Sequence, residues 1–394
     1  MITATNRKKV DNLIEYILII ALFYVTGGAF SYTGYSIQIT LFFCVAAFIL
    51  FVKGKVDNLK KSVLILCLQA IFLFLVPLLH NDSFSTYIAI AMQLCIGAFC
   101  AAIIPFQNFK DKFIKVITIY ATISLVCFVI SMFYPEVAYL FPKTIGDASV
   151  DYYNAYIYVF MQSNTTHEIM VRNPGICWEP GCYQMFLNFG LILLLESINR
   201  KPTKFQIFSF IVLVVSVLTT MSSLGVILLI FVLVCYHKMW LGKILSIRTL
   251  IVFCCSFFLA FIFLREINFG KFIVDKIERE FSSSGSGVLD RISLDRIQYL
   301  FADNTFYFFG MSFDKWLSFD LSLWNSIIHS FLCLGVPFTI IHLISYWKGA
   351  RIISSSNGIC LFALMILCCF TETLFWRVFF NTIAYYGFVA KQDR

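Results

Sequence analysis

Runs of roughly 17 to 25 apolar residues, separated by short polar segments, recur along nearly the whole chain, and each is long enough to cross about 30 Å of hydrocarbon as an α-helix. Twelve spans are predicted, near residues 12–29, 35–52, 62–79, 86–105, 113–134, 182–198, 206–221, 223–239, 249–265, 325–346, 358–375 and 377–390. The first run has a long apolar core and no small-residue cleavage site behind it, so it reads as a retained helix rather than a signal peptide. The expected fold is an all-α polytopic membrane protein. Five helices occupy 1–134, a large external loop 135–181, four helices 182–265, a second large external loop 266–324 and three helices 325–394.

Composition agrees. Charged residues make up 13% of the 394 and hydrophobic ones 60%, against about 25% charged in soluble domains, which excludes an ordinary soluble enzyme. The short segments 1–11, 53–61, 106–115, 199–205, 238–248, 347–357 and 391–394 hold 20 of the 30 Lys and Arg, whereas the opposite turns 30–34 and 80–85 hold none. Basic short loops stay in the cytoplasm. Both termini are therefore expected there, and the net charge of +8 records this bias rather than an affinity for nucleic acid.

Polar chemistry is concentrated outside the runs. In the first external loop, "VDYYNAYIYVFMQ" (150–162) carries tyrosines suited to the lipid headgroup level. The loop ends in "RNPGICWEPGCYQM" (172–185), where two prolines fix the backbone and Gly175 and Gly181 permit sharp turns. Cys177 and Cys182 are either a disulfide or two packed thiols beside a turn that Pro180 and Gly181 hold alone. In the second loop, "SSSGSG" (282–287) is a flexible joint. "LDRISLDRIQYLF" (289–301) then reads as a short amphipathic helix. Its Arg291 and Arg296 lie about 140° apart around such a helix and could flank an anion; alternatively Arg291 pairs with Asp295 on a solvated face.

Four motifs, in order, resemble the bacterial O-antigen polymerase and O-antigen ligase superfamily. The first is the loop with Arg172, Gly175, Glu179 and Pro180 before a span. The second is "TMSSLG" (220–225), similar to a Thr-x-Ser-x-x-Gly signature that includes Ser222. The third is Arg291 or Arg296 ahead of "FFGMSF" (308–313). The fourth is "IIHSFLCLGVPF" (327–338), a span that begins near a histidine. The chain departs from the family pattern at Ser223, where an arginine is common, and at Ser330, where an asparagine is common.

The resemblance implies a GT-C-like glycosyltransferase in the bacterial inner membrane, with its active face in the periplasm. It would transfer a saccharide from undecaprenyl pyrophosphate onto a lipid-linked repeat unit, without metal or nucleotide cofactor. A chain-length regulator is a partner by family analogy. Such chemistry needs cations for the leaving pyrophosphate, and Arg172, Arg291, Arg296 and Arg377 lie on the expected side. It also needs a base. His329, about one turn inside the external end of a span, is the first choice and His167 the external alternative, while His342 and His237 lie toward the cytoplasm and His80 in a minimal turn. Glu179 is either an alternative base or, as preferred here, orients Arg172 through a salt bridge, since a nearby arginine would depress a base's pKa; Glu372 either pairs with Arg377 or, as an ionisable group at membrane depth, is a second-rank site candidate. Trp178 would stack on a sugar or anchor at the interface. The plain alternative for His329 is a helix-packing histidine bonded to a neighbour. Rival readings are a ligase that transfers to lipid A core, a flippase or transporter for lipid-linked saccharides, and a scaffold without an active site. Polymerase is preferred because such enzymes are often rich in Phe, of which there are 45.

Overall fold

The computed structural model describes residues 4–28, 35–144, 150–164, 167–198, 201–237, 308–318, 325–354 and 356–389. The predicted span 249–265, the joint 282–287 and the amphipathic helix 289–301 with Arg291 and Arg296 lie outside the described residues.

Every other predicted run coincides with a helix. These are α1 (Ala4–Gly27), α2 (Tyr35–Val52), α3 (Lys60–His80), α4 (Ser85–Ile103), α5 (Phe106–Phe133), α6 (Pro180–Ser197), α7 (Lys204–Thr219) and α8 (Ser223–Cys235). After a short helix α9 (Phe313–Ser318) come α10 (Ser326–Ile353), α11 (Gly358–Thr371) and α12 (Val378–Val389). Among the described residues five helices, α1, α3, α4, α5 and α10, are long and apolar enough to cross a membrane. The exposed surface of α3 supports that role: Leu64, Leu68, Ile71, Phe74 and Leu78 recur every three or four residues and are all exposed; the shorter apolar helix α2 carries a like stripe, Ile37, Leu41, Val45, Phe48 and Val52. Greasy stripes of this extent would drive association in water, whereas in lipid they are the ordinary outer face of a helix.

The chain divides into two compact units, residues 1–116 with 294–394, and residues 117–293. In the first, α12 is the central element. It packs on α10 and α4, and its residues Val378 to Tyr386 are buried throughout. Gly97 of α4 lets the backbone of α12 close in, since a Cβ there would sit 2.5 Å from Asn381 Cβ. In the second unit α6 is central, packed on α7 and α8 and buried on every side from Cys182 to Leu195.

Two features depart from the sequence reading. The first external loop is partly a three-stranded antiparallel sheet, β1 (Lys143–Thr144), β2 (Val150–Asn154) and β3 (Val159–Ser163), with Lys143 opposite Tyr153 and Asn154 opposite Val159. Its tyrosines divide between two roles. Tyr153 and Tyr158 form a small core with Phe160 and Ala138, and only others remain for a lipid interface. Burial pushes the Tyr158 hydroxyl well above the ordinary tyrosine range.

The second departure is that α10 is not one continuous span. Gly335 has φ 85° and ψ 173° and breaks it in two. In an unbroken helix Cys333 O would accept from residue 337, but Pro337 has no N–H to give.

Candidate functional site

The break in α10 is repaired by the segment 308–312. Met311 N donates to Leu332 O (2.7 Å), Ser312 N to Cys333 O (3.3 Å), and Val336 N, released from its own helix, to Phe308 O (3.1 Å). Two glycines make this approach possible. A Cβ on Gly310 would lie 2.4 Å from Cys333 O, and one on Gly335 would lie 2.4 Å from Phe308 O. Irregular backbone is tolerated at membrane depth only where protein satisfies its polar groups, and here each segment satisfies the other. The motifs "FFGMSF" and "IIHSFLCLGVPF" are thus one joint.

His329 sits on the first half of α10, which Asn325 caps by accepting from Ile327 N (3.1 Å) and Ile328 N (3.0 Å). Three rings surround it: Phe313 at 5.5 Å, Trp316 at 5.3 Å and Trp376 at 5.5 Å between centroids. Its Nε2 is buried and has no hydrogen-bond partner among the described residues. Buried polar atoms are almost always paired, and leaving one unpaired costs about 1–3 kcal/mol. The packing-histidine alternative, in which the ring bonds a neighbour, therefore does not describe this nitrogen.

The surroundings of that ring are held from several sides. Helix α9, which carries Phe313 and Trp316, is fastened to the α3–α4 turn. Asp314 N donates to Asp82 Oδ2 (3.4 Å), Ser83 N to Asp314 Oδ2 (3.2 Å), and His80 Nε2 to Gly310 O (2.8 Å). The turn that carries Trp376 is bound by Ser326, whose hydroxyl accepts from Leu374 N and Phe375 N and lies 2.8 and 2.7 Å from the carbonyls of Cys369 and Glu372. Arg377 follows directly, its Nε donating to Thr373 O (3.2 Å).

A fully buried chain of polar groups lies deeper along α10. Tyr385 Oη donates to Gln69 Oε1 (2.6 Å), Gln69 Nε2 to His342 Nδ1 (2.8 Å), and His342 Nε2 to Phe375 O (2.8 Å). Each step fixes the next. Because the Gln69 oxygen is taken by Tyr385, its amide must face the imidazole, and the His342 proton therefore sits on Nε2. Tyr346 Oη also donates to Phe375 O. None of these partners was singled out from sequence, since they lie up to 316 positions apart.

The remaining predicted residues belong to the second unit. Arg172, Gly175, Trp178 and Glu179 share one loop, and its keystone is Asn173, which is fully buried. Asn173 Nδ2 donates to Thr219 Oγ1 (2.9 Å) and Ser124 Oγ (3.2 Å), its N–H to Thr219 O (3.1 Å), and its Oδ1 accepts from Gly175 N (3.1 Å). Gly175, at φ 57°, lies flat on Tyr183, where a Cβ would meet the ring at 2.5 Å; Tyr183 Oη in turn donates to Ser124 Oγ (3.0 Å). The loop is thereby tied to the end of α7, one residue before "TMSSLG". In that turn Ser222 caps α8 by accepting from Gly225 N (3.3 Å), and Gly225 admits the Gln184 side chain.

The expected salt bridge is absent: Glu179 stands at the N-cap of α6 without a side-chain cap bond, and it is in none of the ion pairs formed by the described residues. Cys177 and Cys182 are buried and not joined in a disulfide, as in the second of the two alternatives. His167 is on the surface, with φ 58°. Among the described residues no group of three or more His, Cys, Asp or Glu is placed to hold a metal.

No family model matches the chain, and no curated protein matches it.

Proposed function

We propose that the chain is a surface-polysaccharide polymerase of the O-antigen type. It would have about twelve spans and cytoplasmic termini in a bacterial inner membrane, and transfer an undecaprenyl-pyrophosphate-linked saccharide to a lipid-linked repeat unit on the periplasmic side. One observation carries the reading: the four motifs behind the resemblance join two by two. The Arg172 loop is bonded through Asn173 to the turn that precedes Ser222, and "FFGMSF" is paired with the broken helix that bears His329. Residues scattered over the sequence for mere packing would not be expected to pair in this way.

In this reading His329 takes the proton of the acceptor hydroxyl. In its neutral form an imidazole carries one acceptor nitrogen; Nε2 of His329 has no hydrogen-bond partner among the described residues, and the rings around it suit the apolar face of a sugar. Arg172 and Arg377, with Arg291 and Arg296, supply charge to the departing pyrophosphate. Gly175 lets the Arg172 loop lie on Tyr183, Trp178 would stack on a sugar or anchor at the interface, and Ser222 caps α8.

The broken helix favours one rival, because discontinuous helices are common in transporters. Both are tested by surface-polysaccharide gels from cells that lack the gene and carry wild type, His329→Ala, Arg172→Ala or Arg172→Lys. For a polymerase the deletion shows core plus one repeat unit. The two alanine variants lose the ladder at normal protein abundance, by at least about a hundredfold for the histidine, and Arg172→Lys restores it in part. Loss of every core-attached unit would overturn the polymerase reading. Lipid-linked units would then accumulate on the outer leaflet for a ligase and on the inner leaflet for a flippase.

A further inference from the structure

The tip of the β2–β3 hairpin, residues 155–158, has an unexpected residue in a demanding place. Tyr156 has φ 66°, a left-handed conformation that glycine or asparagine adopts far more readily than a bulky aromatic. Asn154 supports it by accepting from Tyr156 N (2.8 Å). The tyrosine is nevertheless 56% exposed and Ile157 beside it 46% exposed, so neither side chain is there to fill the sheet's core.

Their neighbours are apolar and exposed as well. Leu140 closes a 3₁₀ turn, Pro135–Leu140, just before Pro142, whose carbonyl accepts from Asn154 N (3.0 Å) at the base of the hairpin tip. Leu140 is 79% exposed. The patch extends through Tyr139 and Tyr134 to the end of α5, whose exposed stripe is Ile119, Val126, Val129, Ile130 and Phe133. These stripe positions fall on one side of a helix with 3.6 residues per turn, and α5 is one of the helices able to cross a membrane. The exposed apolar stripe of α5 thus ends in the stretch of chain that leads through Leu140 to the hairpin, and the exposed Tyr134, Tyr139 and Tyr156 suit the level where acyl chains give way to headgroups.

We propose that Tyr156, Ile157 and Leu140 form a foot that rests in the interfacial layer of a phospholipid bilayer and sets the height of the Arg172 loop above it. The link is short. Val159 N, directly after the tip, donates to Gly175 O (2.8 Å), and Tyr158 Oη donates to Arg172 O (3.4 Å). A loop that handles a lipid-borne anion must be held at headgroup level, and the foot supplies that reference. The contact with lipid rests on the membrane reading alone and stands whether or not the chain transfers sugars.

The test uses the full-length protein in phospholipid nanodiscs with a trifluoromethyl-phenylalanine in place of Tyr156. Its fluorine relaxation is read with a nitroxide on an acyl chain near the headgroup, and separately with a water-soluble gadolinium chelate. Insertion predicts several-fold greater enhancement by the lipid nitroxide than by the chelate. Equal or greater enhancement by the chelate would overturn the proposal. A second probe at Ile157, where the backbone is unconstrained by the left-handed turn, gives the same discrimination if the first position impairs folding.

Discussion

Two histidines on the two halves of α10 show what the break in that helix separates. His342, in the second half, has both ring nitrogens bonded, to Gln69 and to Phe375 O, and is fully buried. His329, in the first half, has a buried Nε2 with no such partner among the described residues, and Phe313, Trp316 and Trp376 lie around it. The same residue type thus serves as interhelical glue on one side of Gly335 and, on the other, keeps a ring nitrogen without a partner among the described residues. Polar residues in membrane segments are expensive; in His342 the expense is offset by bonds the fold keeps, whereas in His329 it is left standing.

The contrast depends on the joint between the halves, so its loss should be the largest effect. Gly335→Ala places a methyl group 2.4 Å from Phe308 O at φ 85°. Backbone strain of about 1–3 kcal/mol, in a positive-φ region nearly restricted to glycine, adds to the disruption of three backbone bonds worth about 1 kcal/mol each. Loss of about 4 kcal/mol is expected, seen as aggregated rather than monodisperse protein on size-exclusion chromatography in detergent. Gly54→Ala is the matching control. It too has positive φ, 59°, but nothing lies within 4 Å of the added carbon, so only the strain remains, about 1 kcal/mol. Equal behaviour of the two variants would show that the 308–312 pairing contributes little.

The buried chain comes next. His342→Phe conserves ring size but strands Gln69 Nε2 and removes one donor from Phe375 O, which keeps Tyr346. About 2–3 kcal/mol should be lost, since a stranded buried donor costs its full desolvation. The melting temperature of purified protein reads this directly. Gln69→Leu together with His342→Phe should recover part of the loss, because the stranded amide is removed as well; a double variant no better than the worst single one would mean that the two do not act through their mutual bond.

How much of this was legible follows from the range of each interaction. Helix positions were readable because a run of about 20 apolar residues has few alternatives. The break in α10 was not, because Gly335 and Pro337 lie inside an apolar run and the strand that repairs it comes from residues 308–312. The sheet was missed because its strands have at most five residues, and their tyrosines suggested an interface although several face inward. In the Arg172 loop the charged and rigid residues carry the sequence signal, whereas Asn173 holds it through Ser124 and Thr219, 49 and 46 positions away. His329 was singled out for its depth in the span, and depth also set His342 aside; their bonding partners, which separate them chemically, are written elsewhere in the chain.

The smallest stability effect is also the sharpest test of the comparison. His329→Phe makes the same chemical change as His342→Phe on the same helix, but here no described side chain loses a hydrogen bond. The new ring would face Phe313, Trp316 and Trp376, and aromatic pairs of that kind are each worth about 0.5–1.5 kcal/mol beyond their buried area, while the desolvated nitrogen is gone. The melting temperature should stay within about 2 °C of wild type or rise, since 1 kcal/mol corresponds to no more than a few degrees in a protein of this size. Polysaccharide ladders should nevertheless be lost. A clear fall in melting temperature, comparable to that of His342→Phe, would mean that the Nε2 of His329 is engaged in the folded protein and is a packing group like its neighbour one half-helix away.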